Sequence, residues 1–258
     1  MIVSAQQAPD FVSSLQKLAP NDPFVCRILS LFHTYDPELA FVDYWMTADE
    51  NGICNGAIAR NGSSFILFLT DNSDLDEISS FLRVSGASGI LCDGRYRLDF
   101  TAKETEGVIM KTSSMIPSEG EETNVIVPEI KDAYELLVKC ADDGFTPPSF
   151  EDFYVDVNHR LRHRSIRMYG IKDNEKLAAV AMTVAESDNG AVLGAVACDP
   201  EYRRMGYASM AVRHIVNRLV TENKTVFLHR SQNANAAFYN KLGFTDCGVW
   251  REYNAEFR

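Results

Sequence analysis

Apolar residues recur at intervals of three and four along the second half of the chain, and shorter apolar runs separate these segments. The recurrent spacing predicts helices over 128–141, 149–161, 206–219 and 235–242. The shorter runs predict strands over 166–171, 177–185, 191–198, 225–229 and 244–253. The run over 191–198 is apolar on both alternating faces, which is typical of a strand buried from both sides. The predicted order is therefore ααβββαβαβ.

The first half of the chain gives a fainter version of the same order. Its pattern predicts helices over 11–18, 23–32 and 75–84. It predicts strands over 40–47, 53–60, 64–69, 89–91 and 107–110. The polar segment 111–123 contains Pro117 and Gly120, so it is predicted to be a linker. The chain thus divides into residues 1–120 and 121–258, with an internal structural repeat.

Composition supports this two-domain interpretation. A chain of 258 residues can form two domains that each bury their own core. Its 46% hydrophobic and 24% charged residues are typical of a soluble globular protein. No uncharged apolar run approaches the ~18 residues of a membrane helix. The first residues lack the basic and apolar regions of a signal peptide. These features predict a cytoplasmic protein without a membrane partner.

The net charge of −11 is unevenly distributed. Residues 1–120 contain eight Lys and Arg against sixteen Asp and Glu, whereas residues 121–258 contain seventeen against twenty. An acidic chain is a poor nucleic-acid binder, because neutralising phosphates requires clustered Lys and Arg. The charge suits a cationic amine better, although an acidic surface often serves solubility alone.

Metal and disulfide sites are not expected. The six cysteines are scattered without a C-x-x-C pair and are predicted to be small core side chains. His159 and His163 have the spacing of a helical metal pair, but arginines surround them and no third ligand is apparent.

The segment after the strand predicted over 191–198 combines the features of an anion site. Residues 199–206 read Asp-Pro-Glu-Tyr-Arg-Arg-Met-Gly and lead into an amphipathic helix. The first N–H groups of a helix lack intrahelical partners, and the helix dipole adds about half a positive charge there. Arg203 and Arg204 add full charges, and Gly206 lets the backbone approach a ligand closely. An ordinary strand–loop–helix connection with solvated arginines shares some of these features, but their combination favours a pyrophosphate site.

This segment resembles motif A of the GNAT superfamily of N-acetyltransferases. Arg203, Gly206 and Ala208 occupy the R/Q-x-x-G-x-G/A positions of that motif, and Cys198 stands where Val is usual. The resemblance implies that loop amides bind the pyrophosphate of CoA, while the pantetheine arm pairs with the preceding strand. The CoA-binding residues it implies here are Val196, Ala197, Cys198, Arg203, Arg204, Met205, Gly206, Tyr207, Ala208 and Ser209.

Residues 233–244 resemble GNAT motif B, most closely over Phe-Tyr-Asn-Lys-Leu-Gly-Phe at 238–244. The usual asparagine position falls on Gln232; Asn233 is one residue out of register, and Asn235 takes the usual Ala position. Asn233 is assigned to pantetheine, with Gln232 and Asn235 as alternatives. Tyr239 matches the family tyrosine beside the CoA sulfur, which implies that it donates a proton to the leaving thiolate. The alternative is a core tyrosine that braces helix against sheet.

The group that accepts a proton from the attacking amine is not evident, because the strand over 191–198 carries no acid. The candidates are Glu186, Asp188, Asp152 and Asp156. A water relay, or an amine that enters neutral, would serve equally.

In the first half, the position that corresponds to motif A contains four carboxylates over residues 70–77 and neither Arg nor Gly. These charges would repel a pyrophosphate but suit a helix N-terminus. The first half therefore resembles a degenerate GNAT-like domain that does not hold CoA in the usual way.

Together, the resemblances imply a GNAT fold of the α+β or α/β class, a mixed sheet flanked by helices, in a tandem of two GNAT-like domains. They imply an enzyme that transfers acetyl from acetyl-CoA to a primary amine, on a small molecule or a peptide N-terminus, by direct attack in a ternary complex. One alternative is a non-enzymatic acyl-CoA-binding or regulatory module. Another is a different acyl transfer, such as aminoacyl-tRNA transfer, which the acidic charge disfavours. The sequence leaves a homodimer open.

Overall fold

The computed structural model describes residues 1–117, 124–141, 146–232 and 234–255. The chain forms two compact units. Unit 1 consists of Met1–Met110, His229–Gln232 and Asp246–Arg258, and unit 2 consists of Lys111–Leu228 and Asn233–Thr245. This division differs from the one predicted at residue 120, because a C-terminal segment belongs to unit 1.

Unit 1 is a mixed sheet with three helices. Its elements are β1 (Ile2–Ser4), α1 (Phe11–Leu18), α2 (Pro23–Thr34), β2 (Val42–Ala48), β3 (Cys54–Asn61), β4 (Ser64–Leu69), α3 (Leu75–Val84), β5 (Gly89–Asp93) and most of β6 (Lys103–Thr112). β1 to β4 pair antiparallel in sequence order, and β4 pairs in parallel with β5. α3 packs on the sheet through buried Ile78 and Leu82, which meet Phe65 and Leu67.

Unit 2 repeats this arrangement. Its elements are β7 (Val125–Ile126), α4 (Ile130–Lys139), α5 (Phe150–Arg162), β8 (Met168–Asp173), β9 (Lys176–Glu186), β10 (Gly190–Cys198), α6 (Tyr207–Thr221), the first part of β11 (Thr225–Ser231) and α7 (Ala236–Lys241). Its strands lie in the order β11-β10-β9-β8-β7. α4 and α5 pack on the sheet through residues such as Leu137 and Val157, which are buried with Val180.

The last strand, β12 (Thr245–Asn254), lies in the sheet of unit 1, between β5 and β6. It pairs antiparallel with β5, with Trp250 opposite Asp93 and Tyr253 opposite Ile90. The Tyr253 side chain is fully buried, and its hydroxyl accepts a hydrogen bond from the N–H of Leu98 at 3.0 Å. The hydrophobic pattern predicts the strand itself but carries no information about which sheet the strand joins.

The predicted order of helices and strands in both halves is confirmed, with small differences at the ends. α4 begins at Ile130, so Pro128 precedes the helix instead of opening it. β1 and β7 have three and two residues, too few to show a period, and the sequence does not predict them. Cys26 and Cys92 are buried core residues as predicted. Cys54, Cys140 and Cys198 are only partly buried and Cys247 is exposed, so the prediction fails for these four.

Candidate functional site

The last residues of β10 have backbone that is not paired with the neighbouring strand β11. The parallel ladder between the two strands runs from Gly190↔Thr225 to Leu193↔Leu228, whereas β10 continues to Cys198. On its other side, β10 keeps an antiparallel ladder with β9, with a register shift between Gly194 and Ala197. Ala195 within this shift has a left-handed φ of 43°. The backbone of 194–198 can therefore pair with an extended ligand, as in β-strand addition.

The turn after β10 is held at its first residue. The Asp199 carboxylate accepts a hydrogen bond from the N–H of Glu201 and caps the turn Pro200–Tyr202. The same carboxylate receives two hydrogen bonds from Nζ of Lys139, at 2.8 and 2.7 Å. Lys139 lies at the end of α4, so this ion pair connects α4 to the start of the turn. Nothing in the sequence pattern predicts the pair, because the partners are 60 positions apart.

The start of α6 has the geometry of an anion site. Gly206 is the N-cap residue with a left-handed φ of 90°, and it has no side chain that could cap the helix. A Cβ built on Gly206 would meet no atom within 4 Å, so the space above this backbone is open. Arg203 and Arg204 precede Gly206 by three and two residues. The amides at the helix start, the helix dipole and two guanidinium groups all favour an anion here.

These elements surround one cavity of about 830 Å³ within unit 2. Its lining includes the following residues that the sequence assigns to the site: Val196, Ala197, Cys198, Arg203, Arg204, Gly206, Tyr207, Ala208, Ser209 and Tyr239. Met205 is 64% exposed and does not line the cavity, and Asn233 lies outside the described residues. The cavity wall also contains Cys140, Asn235, Ala237, Phe238 and Lys241.

Of these additional residues, those on α7 had a signal in the sequence, since the close match to motif B extends over them. Asn235 is the N-cap of α7 in a left-handed conformation, and Lys241 ends the helix. Cys140, at the end of α4, had no such sequence signal, because only the tertiary fold brings α4 to the end of β10.

Tyr239 lies on α7 and packs against two other aromatic rings. Its ring makes edge contacts with Phe238 at 4.9 Å and Phe244 at 5.8 Å between centroids. Burial raises the pKa of Tyr239 to about 12, so the phenol is protonated at neutral pH. The residue is therefore a hydrogen-bond donor at the wall of the cavity.

Three of the four carboxylates considered as proton acceptors have partners away from the cavity, and the fourth, Asp188, does not line it. Glu186 is 5% exposed and pairs with Arg167 at 2.6 Å and Lys224 at 3.2 Å. It lies opposite Ala191, at the start of β10, whereas the cavity lies at the end of that strand. The Asp152 carboxylate accepts a hydrogen bond from the hydroxyl of Ser149, the N-cap residue of α5, and the Asp152 N–H donates one back to that hydroxyl. Asp156 pairs with Arg160. None of these residues lines the cavity.

In unit 1, the segment equivalent to the anion site is closed by its own side chains. The Asp74 carboxylate accepts the N–H groups of Asp76 and Glu77 and so caps α3. The Asn55 amide donates to the carbonyl of Asn72 at 2.8 Å. The helix-start amides that a phosphate would need are therefore already bonded to an acid.

Two further kinds of site find no support in the described parts of the chain. No group of three or more His, Cys, Asp or Glu side chains there could hold a metal ion. No described helix has the length and apolar character needed to cross a membrane.

Solved structures define the class of fold. The whole chain matches a tandem GNAT protein from the clavulanic acid biosynthesis pathway, with 13% identity and a TM-score of 0.57, over 100% of this chain and 99% of that one. A GNAT-family protein of Novosphingobium aromaticivorans matches with 17% identity and a TM-score of 0.57, over 92% of this chain and 100% of that one. The predicted GNAT fold, in a tandem arrangement, is confirmed.

The sequence comparison identifies the domain within that class. Residues 130–244 match the model of the acetyltransferase (GNAT) family, so this segment is a GNAT acetyltransferase domain. The ribosomal protein bS18 alanine N-acetyltransferase of Escherichia coli strain K12 is 34% identical over 88 residues. This match covers 33% of the present chain, and the chain spans 59% of the length of that relative.

Proposed function

We propose that the protein is an acetyl-CoA-dependent N-acetyltransferase with its reaction site in unit 2. The observation that carries this proposal is that one cavity combines unpaired β10 backbone, an arginine-flanked helix start and a protonated tyrosine. The family of residues 130–244 supports the same activity. The acceptor is a primary amine that attacks the thioester directly while both substrates are bound.

The cofactor-binding roles follow the shape of the cavity. The amides of residues 206–209, with Arg203 and Arg204, bind the pyrophosphate, because they form the anion site at the start of α6. The pantetheine arm pairs with the backbone of 196–198, which β11 leaves free. A volume of about 830 Å³ is within the range of about 300–1,000 Å³ that small-molecule sites occupy.

The chemistry requires stabilisation of a leaving thiolate. Attack of the amine on the thioester carbonyl forms a tetrahedral intermediate, whose collapse breaks the C–S bond. The Tyr239 hydroxyl donates a hydrogen bond to the sulfur as negative charge develops, and it supplies the proton that the thiolate takes up. With a pKa of about 12, Tyr239 stays protonated between turnovers over the physiological range.

Because the carboxylates have other partners, the site favours an acetyl-accepting amine that loses its proton easily. Asp152, Asp156 and Glu186 are held by other partners, so deprotonation by water or entry of a neutral amine fits the site better. A peptide α-amino group has a pKa of about 7.7–8.0, against about 10.4 for lysine, and is far more often neutral at pH 7.5. The relatives in Escherichia coli act on an alanine of a ribosomal protein, which agrees with a peptide N-terminus as acceptor.

A thiol-release assay with acetyl-CoA tests this function. The panel should contain peptides with free N-termini, the same peptides blocked at the N-terminus but carrying lysine, free amino acids and polyamines. We expect turnover with a free peptide N-terminus and much slower turnover with the blocked peptides. CoA binding without turnover on any member would favour a non-enzymatic acyl-CoA-binding module instead.

Titration calorimetry should give one CoA per chain. The site in unit 2 is open, whereas the corresponding helix start in unit 1 is capped by Asp74 and lies beside Asp71 and Asp76. A Gly206→Val variant serves as the matched control, since it alters only the site in unit 2 and should bind CoA far more weakly. A stoichiometry of two in the wild type that falls to one in the variant would assign a second binding site to unit 1.

A further inference from the structure

Two thiols share the proposed cofactor cavity. Cys140 is the C-cap residue of α4 and Cys198 is the last residue of β10. Both line the cavity, and both are partly exposed. Sγ of Cys140 donates a hydrogen bond to the carbonyl oxygen of Cys198 at 3.2 Å. The Cys140 side chain therefore lies in direct contact with the backbone of Cys198.

The neighbouring residues hold these two positions together. Lys139 and Asp199, which adjoin Cys140 and Cys198, form the bidentate ion pair at 2.7–2.8 Å. The end of α4 and the end of β10 are thus already fixed against each other. A disulfide joins residues whose Cα atoms lie about 4.4–6.8 Å apart. Cys140 and Cys198 are already in contact through Sγ and the carbonyl oxygen, and rotation of the two side chains is the movement that would join the sulfurs.

Cys198 also faces the proposed phosphate site. Burial raises the pKa of its thiol and the nearby Cys140 raises it further, whereas the Ala208 amide and Arg203 act in the opposite direction. The Ala208 N–H that bonds to this sulfur belongs to the first turn of α6, where the pyrophosphate is proposed to bind. A change at Cys198 therefore acts directly on the cofactor site.

We propose that Cys140 and Cys198 are a peroxide-sensitive thiol pair whose oxidation to a disulfide closes the cavity to CoA. The peroxide O–O bond breaks as one thiol becomes a sulfenic acid and one water is released. The second thiol then attacks this sulfur, an S–S bond forms, and a second water leaves. The two thiols lose two electrons and two protons in total, and the peroxide is reduced to two waters.

The disulfide blocks CoA for a geometric reason. It places two bonded sulfur atoms and their Cβ atoms across the end of β10, where the pantetheine arm is proposed to pair with residues 196–198. This consequence rests on the proposed function, whereas formation of the disulfide does not. Bound CoA protects the pair, because the same space cannot hold both. A thiol reductant restores binding.

The test uses the full chain, treated with hydrogen peroxide, quenched with an alkylating agent and digested. We expect mass spectrometry to show a peptide pair joined through Cys140 and Cys198, formed more slowly when CoA is present. Calorimetry should show CoA affinity falling by at least 10-fold after treatment and recovering with dithiothreitol. A Cys140→Ser variant should lose this oxidant response, whereas a Cys247→Ser variant, altered at an exposed thiol outside the cavity, should keep it.

The outcomes separate the two proposals. Absence of the joined peptide in the treated wild type overturns the thiol pair. An oxidant response that persists in Cys140→Ser also overturns it, because Cys198 would then be oxidised alone. A joined peptide with unchanged CoA affinity would instead contradict the assignment of the cavity to CoA, since the disulfide would then lie in a space that CoA does not use.

Discussion

Replacing Gly206 with valine is expected to lower the affinity for CoA by at least about 100-fold in a protein that still folds. Gly206 has a φ of 90°, a region that a β-branched residue adopts only with strain of about 1–3 kcal/mol. The valine side chain would also enter the open space above the helix start, where the pyrophosphate is proposed to lie. Loss of even one hydrogen bond to a charged group costs about 1.5–3 kcal/mol. Calorimetry with CoA measures the effect.

Gly86→Val is the matched control for this experiment. Gly86 also has a left-handed φ, of 69°, and open space around it, but it follows α3 in unit 1. Its replacement carries the same backbone strain without touching the cavity. We expect both variants to lose thermal stability and only Gly206→Val to lose CoA affinity. Equal CoA affinity in the two folded variants would contradict the assignment of the phosphate site.

Replacing Tyr239 with phenylalanine is expected to lower kcat by on the order of 10²–10⁴-fold, the usual effect of removing a general acid. The ring contacts with Phe238 and Phe244 remain, so CoA should bind with little change. Steady-state kinetics with the best acceptor from the amine panel, together with calorimetry, separates these two effects. A variant that turns over at the wild-type rate would make Tyr239 a structural residue.

The pH profile gives a second check on Tyr239. Because burial raises its pKa to about 12, its ionisation should not lower kcat below pH 10. A fall in kcat between pH 8 and 10 that disappears in Tyr239→Phe would show that the phenol ionises much earlier than its surroundings imply. Tyr253→Phe is the control at a buried hydroxyl elsewhere. It leaves the N–H of Leu98 without its acceptor, so it should cost stability of about 1–3 kcal/mol without changing kcat.

The sequence predicts most of the site, because its signals are local. The end of β10, the arginines, Gly206 and the start of α6 follow one another within eleven residues, so spacing alone brings them together. Motif B is equally local, and Tyr239, which it singles out, lines the cavity, while the catalytic role of Tyr239 stays a prediction. What the sequence misses depends on contacts between distant residues. Cys140 reaches the cavity only because α4 packs beside β10, and the Lys139–Asp199 ion pair has the same origin.

Glu186 illustrates the reverse case. Its carboxylate makes it a candidate proton acceptor, but its position in the fold places it away from the cavity. An acid close to motif A in sequence is a reasonable candidate for a proton acceptor. In the fold it lies opposite the start of β10, and its partners Arg167 and Lys224 immediately precede β8 and β11. The fold therefore places its carboxylate at the opposite end of β10 from the cavity, with two cationic partners.

The position of β12 determines when unit 1 can complete its fold during synthesis. The strand fills the gap between β5 and β6, and the hydrogen bond from Leu98 to Tyr253 joins residues 155 positions apart. The sheet of unit 1 therefore cannot close until the ribosome has made residues 245–254. Until then, β5 and β6 of the nascent chain present unpaired edges that can bind other strands. The unit that is translated first is thus the last to be completed, because its sheet lacks β12 until unit 2 has been made.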